Sequence, residues 1–108
     1  MNALAITTAP AGDGVMGVCV AGEVDMGTAS QLADATRDAI AARPREVHLD
    51  MAAVTFLDSS GIRTLLHAHR EAAEHGVVLR VVKPHRRVAT VLALTGVLHL
   101  LHDGHIAM

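Results

Sequence analysis

The pattern of hydrophobic and polar residues changes its period several times along the chain, and each change predicts a strand or a helix. Residues 3–8 and 15–21 are short apolar segments joined by a turn rich in Pro and Gly, which is typical of a β-hairpin. Residues 46–50 predict a central strand, and the β-branched run at 77–82 predicts a strand that is buried on both faces. A last apolar run at 97–101 predicts a short final strand.

Between the strands, apolar residues recur every three or four positions, as they do on one face of an α-helix. Thr28 and Gln31 have the spacing of a capping box, which predicts the start of the first helix. Asp58 or Ser59 caps the second helix, and Gly76 ends it. The positions predicted to face inward are Leu32, Ala35, Thr36, Ala39 and Ile40 in the first helix, Ile62, Leu65, Leu66, His69 and Ala73 in the second, and Val88, Val91, Leu92 and Thr95 in the third.

The predicted element order is β-β-α-β-α-β-α-β, an α/β fold. Strands alternate with helices through short connections after the opening hairpin, so the later strands should pair in parallel through right-handed crossovers. A chain of 108 residues lies in the usual range of one domain, and we find no internal linker. The sequence therefore predicts a single domain over residues 1–108.

Composition narrows the function classes. The chain is 51% hydrophobic with one aromatic residue, Phe56, and it has a formal charge of −2, so it offers neither a stacking platform nor a basic surface for nucleic acid. Cys19 cannot form an internal disulfide and is predicted to be a small buried hydrophobe, which favours a cytoplasmic protein. Neither a signal peptide nor an apolar stretch of about 20 residues is present, so no membrane insertion is expected.

Signals for an enzyme or a metal site are weak. The eight histidines lack metal-ligand spacing, and the early glycines do not lie between a strand and a helix, so we expect no metal and no cofactor. Ser59, Asp58 and a histidine could form a hydrolytic triad, but the glycines of a nucleophile elbow are missing. A small serine hydrolase is the weakest of the functional hypotheses, and the chain is expected not to be an enzyme.

A pair of serines at the start of the second helix is the most informative feature. Ser59 and Ser60 follow a strand and a turn, and helix N-termini expose unpaired N–H groups and the positive end of the helix dipole. A hydroxyl placed there is accessible, and the backbone is expected to accept a phosphate added to it. Either serine is thus a candidate phosphorylation switch.

Three segments of the chain together resemble the STAS-domain family, and more narrowly its stand-alone anti-sigma factor antagonists. They are GEVD at 22–25, LDMAAVTFLDSSGIRTL at 49–65 and VLALTGV at 91–97. The resemblance covers nearly the whole chain in the right order. It implies a mixed sheet of four to five strands with helices packed against it, which agrees with the element order predicted from periodicity.

The resemblance also implies a mechanism. In that family the serine directly after the motif aspartate is phosphorylated, and Ser59 stands at that position. A serine kinase that is also the anti-sigma factor binds the unmodified antagonist and so frees its sigma factor. Phosphorylation ends the association, and a metal-dependent serine phosphatase restores the antagonist. The family places acidic residues near this serine, which correspond to Asp25 and Asp58.

We therefore expect a partner-binding surface around the phosphorylation site, made of Asp25, Asp58, Ser59, Ser60, Gly61 and Arg63. One alternative remains open beside the hydrolase. The chain could be a STAS subunit of a stress-signalling complex or of a lipid-transport ATPase, where the same surface is a docking site and phosphorylation plays no part.

Overall fold

The computed structural model describes residues 3–94 and confirms the predicted α/β class and the element order as far as the third helix. Its elements are β1 (Ala5–Pro10), β2 (Val15–Val24), α1 (Ala29–Ala41), β3 (Glu46–Leu57), α2 (Ser59–Glu74), β4 (Val78–Val82) and α3 (Arg86–Leu94). The strand predicted at 97–101 and the inward position predicted at 95 lie outside the described residues.

The described strands form one mixed sheet in the order β1-β2-β3-β4. β1 and β2 are the predicted antiparallel hairpin, while β2 pairs with β3 and β3 with β4 in parallel. Parallel strands end at the same side of a sheet, and Val24 at the end of β2 is paired with Leu57 at the end of β3. We call this side, with the turns that follow Val24 and Leu57, the carboxyl end of the sheet.

One face of the sheet packs against the helices in a single apolar core. The core residues come from both the strands and the helices and are almost fully buried. The largest are Leu32, Ile40, Leu49, Met51, Leu65, Leu79 and Leu92. The opposite face is open: Cys19 is exposed, and Val78 keeps 40% of its surface accessible. The predictions of a buried Cys19 and of a strand buried on both faces are therefore wrong, because the helices among residues 3–94 cover one face only.

The buried face of α2 differs from the prediction. α2 buries Gly61, Leu65, Ala68 and Ala72, while the predicted inward residue Ala73 is exposed, so the helix is turned toward its small residues. Small side chains let a helix lie close to a sheet, and Ile62 and Leu66 of the predicted stripe are partly buried against the same core.

The capping box predicted for α1 is absent. Gln31 uses its side-chain oxygen to accept a hydrogen bond from the Leu4 N–H, 2.8 Å away, and Thr28 makes no side-chain cap. The end of α2 is as predicted: Gly76 has φ +72°, and the Val77 N–H donates to the Ala72 carbonyl at 2.8 Å. This is the pattern of a glycine-terminated helix.

Candidate functional site

Asp58 caps α2 and organises the carboxyl end of the sheet. Its backbone is extended, and its Oδ1 accepts hydrogen bonds from the N–H groups of Ser60 at 2.9 Å and Gly61 at 3.2 Å. The Ser60 hydroxyl donates to the same oxygen at 2.5 Å. These bonds, that of the Ser60 hydroxyl first, hold the pKa of the Asp58 carboxyl below its ordinary value, because each stabilises the charged form.

The cap leaves little of the helix N-terminus free. A helix begins with four N–H groups that lack intrahelical partners. Asp58 donates its own N–H to the Val24 carbonyl at 3.2 Å, and the N–H groups of Ser60 and Gly61 are bonded to the Asp58 carboxylate. Of these four N–H groups, only that of Ser59 has no hydrogen-bond partner among residues 3–94. Three of the four groups therefore already have partners in the unmodified protein, and the expectation that the backbone accepts a phosphate here stays a prediction.

The two serines, which helix position alone does not separate and of which the family resemblance selects Ser59, have different environments. Ser59 is exposed, and its hydroxyl has no hydrogen bond to any described residue. Ser60 is half-buried, and its hydroxyl is held by the Asp58 carboxylate. Ser59 is consequently the hydroxyl that an incoming protein can reach without breaking a bond.

Gly61 fixes where α2 begins. A Cβ atom at this buried glycine would lie 2.4 Å from Leu57 Cδ1 and 2.8 Å from Val24 Cγ1. Such distances are far below van der Waals contact, so any larger residue forces the first turn of α2 away from the two strand ends. Gly61 is buried and positions Ser59, and its contact with a partner stays a prediction.

Asp25 closes the turn between β2 and α1. Its Oδ1 accepts from the N–H groups of Gly27 at 2.9 Å and Thr28 at 3.1 Å. The buried Thr28 hydroxyl accepts from the Asp25 N–H at 3.0 Å and donates to the Glu23 carbonyl at 2.7 Å. Because Asp25 follows Val24 and Asp58 follows Leu57, the register of β2 and β3 brings both carboxylates to the carboxyl end of the sheet.

Two exposed apolar residues at this end were missed by the sequence analysis. Met26 is 84% exposed in the turn after Asp25, and Phe56 is 48% exposed two residues before Asp58. The available signals were a methionine inside a polar turn and the one aromatic residue of the chain standing beside the serine motif. Arg63 is exposed one helical turn after Ser59, as expected of a surface residue.

Residues 3–94 contain no group of three or more His, Cys, Asp and Glu side chains that could hold a metal ion. No helix within the same residues is long and apolar enough to cross a membrane.

The fold and this site together define a class of protein. The STAS domain model matches residues 7–107, so the chain belongs to the STAS-domain family. An anti-sigma factor antagonist from Mycobacterium paratuberculosis is 35% identical, with a TM-score of 0.71 over 85% of this chain and 79% of that chain. None of the curated proteins matches the chain.

Two further solved structures share the fold at lower identity. SpoIIAA in its unphosphorylated form is 21% identical, with a TM-score of 0.70 over 87% of this chain and 83% of that one. The Bacillus cell fate determinant SpoIIAA in its phosphorylated form is 21% identical, with a TM-score of 0.65 over 86% and 85%. These structural neighbours are anti-sigma factor antagonists, which confirms the resemblance seen in the sequence.

Proposed function

We propose that this protein is an anti-sigma factor antagonist that is switched by phosphorylation of Ser59. The unphosphorylated form binds an anti-sigma factor that is also a serine kinase, and the sigma factor is thereby released. The kinase phosphorylates Ser59, binding ends, and a serine phosphatase restores the active form. The observation that carries the proposal is the exposed, unbonded hydroxyl of Ser59 beside the bonded hydroxyl of Ser60.

The comparisons support the general role. The anti-sigma factor antagonist from Mycobacterium paratuberculosis is similar to this chain over most of both chains. The fold itself is compatible with phosphorylation, since a protein that shares it has been solved in a phosphorylated form.

Electrostatics explain why phosphorylation would end binding and leave the fold intact. A phosphate adds a charge of about −1.5 to −2 at neutral pH. In the free protein this charge lies in water on an exposed side chain, where screening is strong. In a complex it would be desolvated at the end of the sheet that already carries Asp25 and Asp58. Juxtaposed like charges in an interface cost several kcal/mol, and about 1.4 kcal/mol is already a tenfold loss of affinity.

The docking surface for the kinase would combine apolar contacts with charge. Met26 and Phe56 are large apolar side chains that the fold leaves exposed at the carboxyl end of the sheet, beside Asp25 and Asp58. Exposed residues of this kind are typical anchors of protein interfaces. The Asp25 turn that carries Met26 is held by side-chain hydrogen bonds, so little ordering should be needed on binding.

The test combines phosphate mapping with binding. The purified protein is incubated with ATP and a panel of anti-sigma factor kinases, and the product is mapped by mass spectrometry. We expect phosphate on Ser59, retained in Ser60→Ala and lost in Ser59→Ala. Ser59→Asp should bind the modifying kinase at least about tenfold more weakly than the unmodified protein. Met26→Ser, measured in the same binding assay, tests the apolar contribution.

Ala73→Asp is the matched control, because Ala73 is exposed at the opposite end of α2 from Ser59, about 21 Å along the helix axis, where added negative charge should not affect binding. Phosphate found only on another residue would contradict the proposal. Unchanged kinase binding by Ser59→Asp would also contradict it, and would favour a STAS subunit that docks without a phosphate switch.

A further inference from the structure

We infer that Arg63 is the group within this chain that pairs with the phosphate on Ser59. The inference rests on the proposed function in one respect, since it concerns the phosphorylated state of the same serine. It adds a regulatory role for Arg63 that the docking surface alone does not give.

Most N–H groups at the N-terminus of α2 already have hydrogen-bond partners. Helix N-termini usually bind phosphate through free N–H groups. Here the Asp58 carboxylate already accepts the N–H groups of Ser60 and Gly61, and the Asp58 N–H is bonded to Val24. A phosphate on Ser59 would find one free N–H, that of Ser59 itself, and a carboxylate on the preceding residue. The other contacts of the phosphate oxygens are therefore left to water or to a cation within reach on the surface.

Arg63 lies four residues after Ser59 on α2. Residues four apart on a helix are neighbours, with Cβ atoms about 5–6 Å apart, and helical side chains lean toward the N-terminus. Arg63 and Ser59 are both exposed, so the arginine side chain can extend over the serine on the solvent side of α2. The guanidinium is permanently charged, and its planar donors suit phosphate oxygens.

The Arg63 guanidinium is available to pair with a phosphate. Several arginines of this chain have a carboxylate partner: Arg37 pairs with Asp34, and Arg45 and Arg80 pair with Glu46. Within residues 3–94, no carboxylate pairs with Arg63. Arg70, the other arginine of α2, lies eleven positions beyond Ser59, about 16 Å along the helix axis, and is out of reach.

Phosphorylation would therefore change the docking surface twice. It adds negative charge at Ser59, and it removes the Arg63 guanidinium from the groups that a partner can contact. The phosphate would also be partly neutralised inside its own domain, which limits its repulsion of Asp58.

The test uses full-length protein with phosphoserine installed at position 59 during synthesis, so that no kinase is needed. The second ionisation of the phosphate is followed by ³¹P NMR against pH at low salt. An adjacent cation favours the dianion, so the phosphate pKa should be lower with Arg63 than in Arg63→Gln, by about 0.2–0.4 unit. The difference should shrink strongly near 1 M salt. Arg63→Lys should recover part of the shift.

Arg70→Gln is the matched control, since it removes the same charge from the same exposed helix at a distance. An identical phosphate pKa in Arg63→Gln and the parent overturns the inference, and so does an equal effect of Arg70→Gln. If no kinase modifies Ser59, the proposed function fails while the phosphate titration still decides the pairing. The two failures are thus separate.

Discussion

The two ends of the parallel strands both carry carboxylates, but they satisfy them in different ways. At the carboxyl end, Asp25 and Asp58 accept hydrogen bonds mainly from backbone N–H groups. At the amino end, Glu46 opens β3 and is held by side chains. Its Oε1 lies 3.0 Å from Arg80 Nε and 2.7 Å from His48 Nε2, and its Oε2 lies 3.3 Å from Arg45 Nη1.

The difference separates stability from switching. Backbone N–H groups carry only partial charges, so the carboxyl end keeps its net negative charge, an exposed hydroxyl and exposed apolar side chains. In the ion pairs of Glu46 the opposite charges neutralise one another. The pair with Arg80 also links β3 to the adjacent strand β4. One end of the sheet is complete in itself, and the other presents the groups that a partner would bind.

The largest expected effect comes from breaking the packing at the carboxyl end with Gly61→Ala. The added methyl group has no space between Leu57 and Val24, so the variant should lose about 2–3 kcal/mol of unfolding free energy in urea titrations. The displaced helix start should also slow phosphorylation of Ser59. A helix-interior Gly→Ala change without a clash would instead stabilise by about 1 kcal/mol, and an increase would contradict the close contact.

Gly76→Ala is the control for that variant. Gly76 has open space around it and a φ of +72°, so alanine there should cost about 1 kcal/mol through backbone conformation alone. Because Gly76 lies at the far end of α2, phosphorylation of Ser59 should be unaffected.

A smaller effect is expected from opening the Asp25 turn with Thr28→Val. The buried hydroxyl bonds the Asp25 N–H and the Glu23 carbonyl, and valine leaves both without that partner. We expect a loss of about 1–2 kcal/mol in urea titrations and weaker binding of the kinase. Thr28→Ser should retain most of the stability.

Thr36→Val is the matched control, because Thr28 and Thr36 are both 2% exposed. The Thr36 hydroxyl donates only to the Leu32 and Ala33 carbonyls of its own helix, so its loss should change stability by about 0.5 kcal/mol or less. Equal losses in the two variants would contradict a special role for the turn.

The smallest expected effect lies at the amino end and depends on pH. The hydrogen bond from His48, and then Arg80, hold the pKa of Glu46 below its ordinary value near 4.5. A lowered folded-state pKa gives stability above the unfolded value, which is lost as the pH falls through the folded-state pKa. The urea midpoint should therefore fall as acid is added below about pH 5, and less steeply in Glu46→Gln.

Glu74→Gln should retain the parent slope, because Glu74 is exposed and makes no ion pair within the described range. Part of the slope should survive in Glu46→Gln, since the pKa of Asp58 is lowered as well. A slope in Glu46→Gln equal to that of the parent would contradict the contribution of the Glu46 ion pairs.

Local signals predicted the hairpin, the helix order and the position of the candidate site. The Asp58 cap, the glycine at position 76 and the α1 residues Leu32, Thr36, Ala39 and Ile40 follow from neighbours in sequence, and the structure has them as predicted. Features that depend on distant residues were not predictable. Gln31 bonds Leu4, 27 positions away, and the exposure of Cys19 depends on which face the helices cover.

The site was predictable as a segment and not in its details. The family motif selected Ser59, but the physical difference between the serines, that the Asp58 carboxylate holds the hydroxyl of Ser60, needs the structure. Met26 is exposed in the Asp25 turn, and the bonds that the buried Thr28 hydroxyl makes in this turn could not be predicted from the sequence. The roles of Asp25, Ser59, Ser60, Gly61 and Arg63 toward a partner stay predictions.

The bond between Asp58 and the first turn of α2 has a consequence for repeated use of the domain. The cap is made by one residue and the modification would fall on the next, so adding or removing a phosphate exchanges none of the hydrogen bonds that start the helix. The same molecule could then be phosphorylated and dephosphorylated many times without local unfolding at the start of α2. The number of such cycles would be limited by the enzymes that add and remove the phosphate and not by unfolding of the domain.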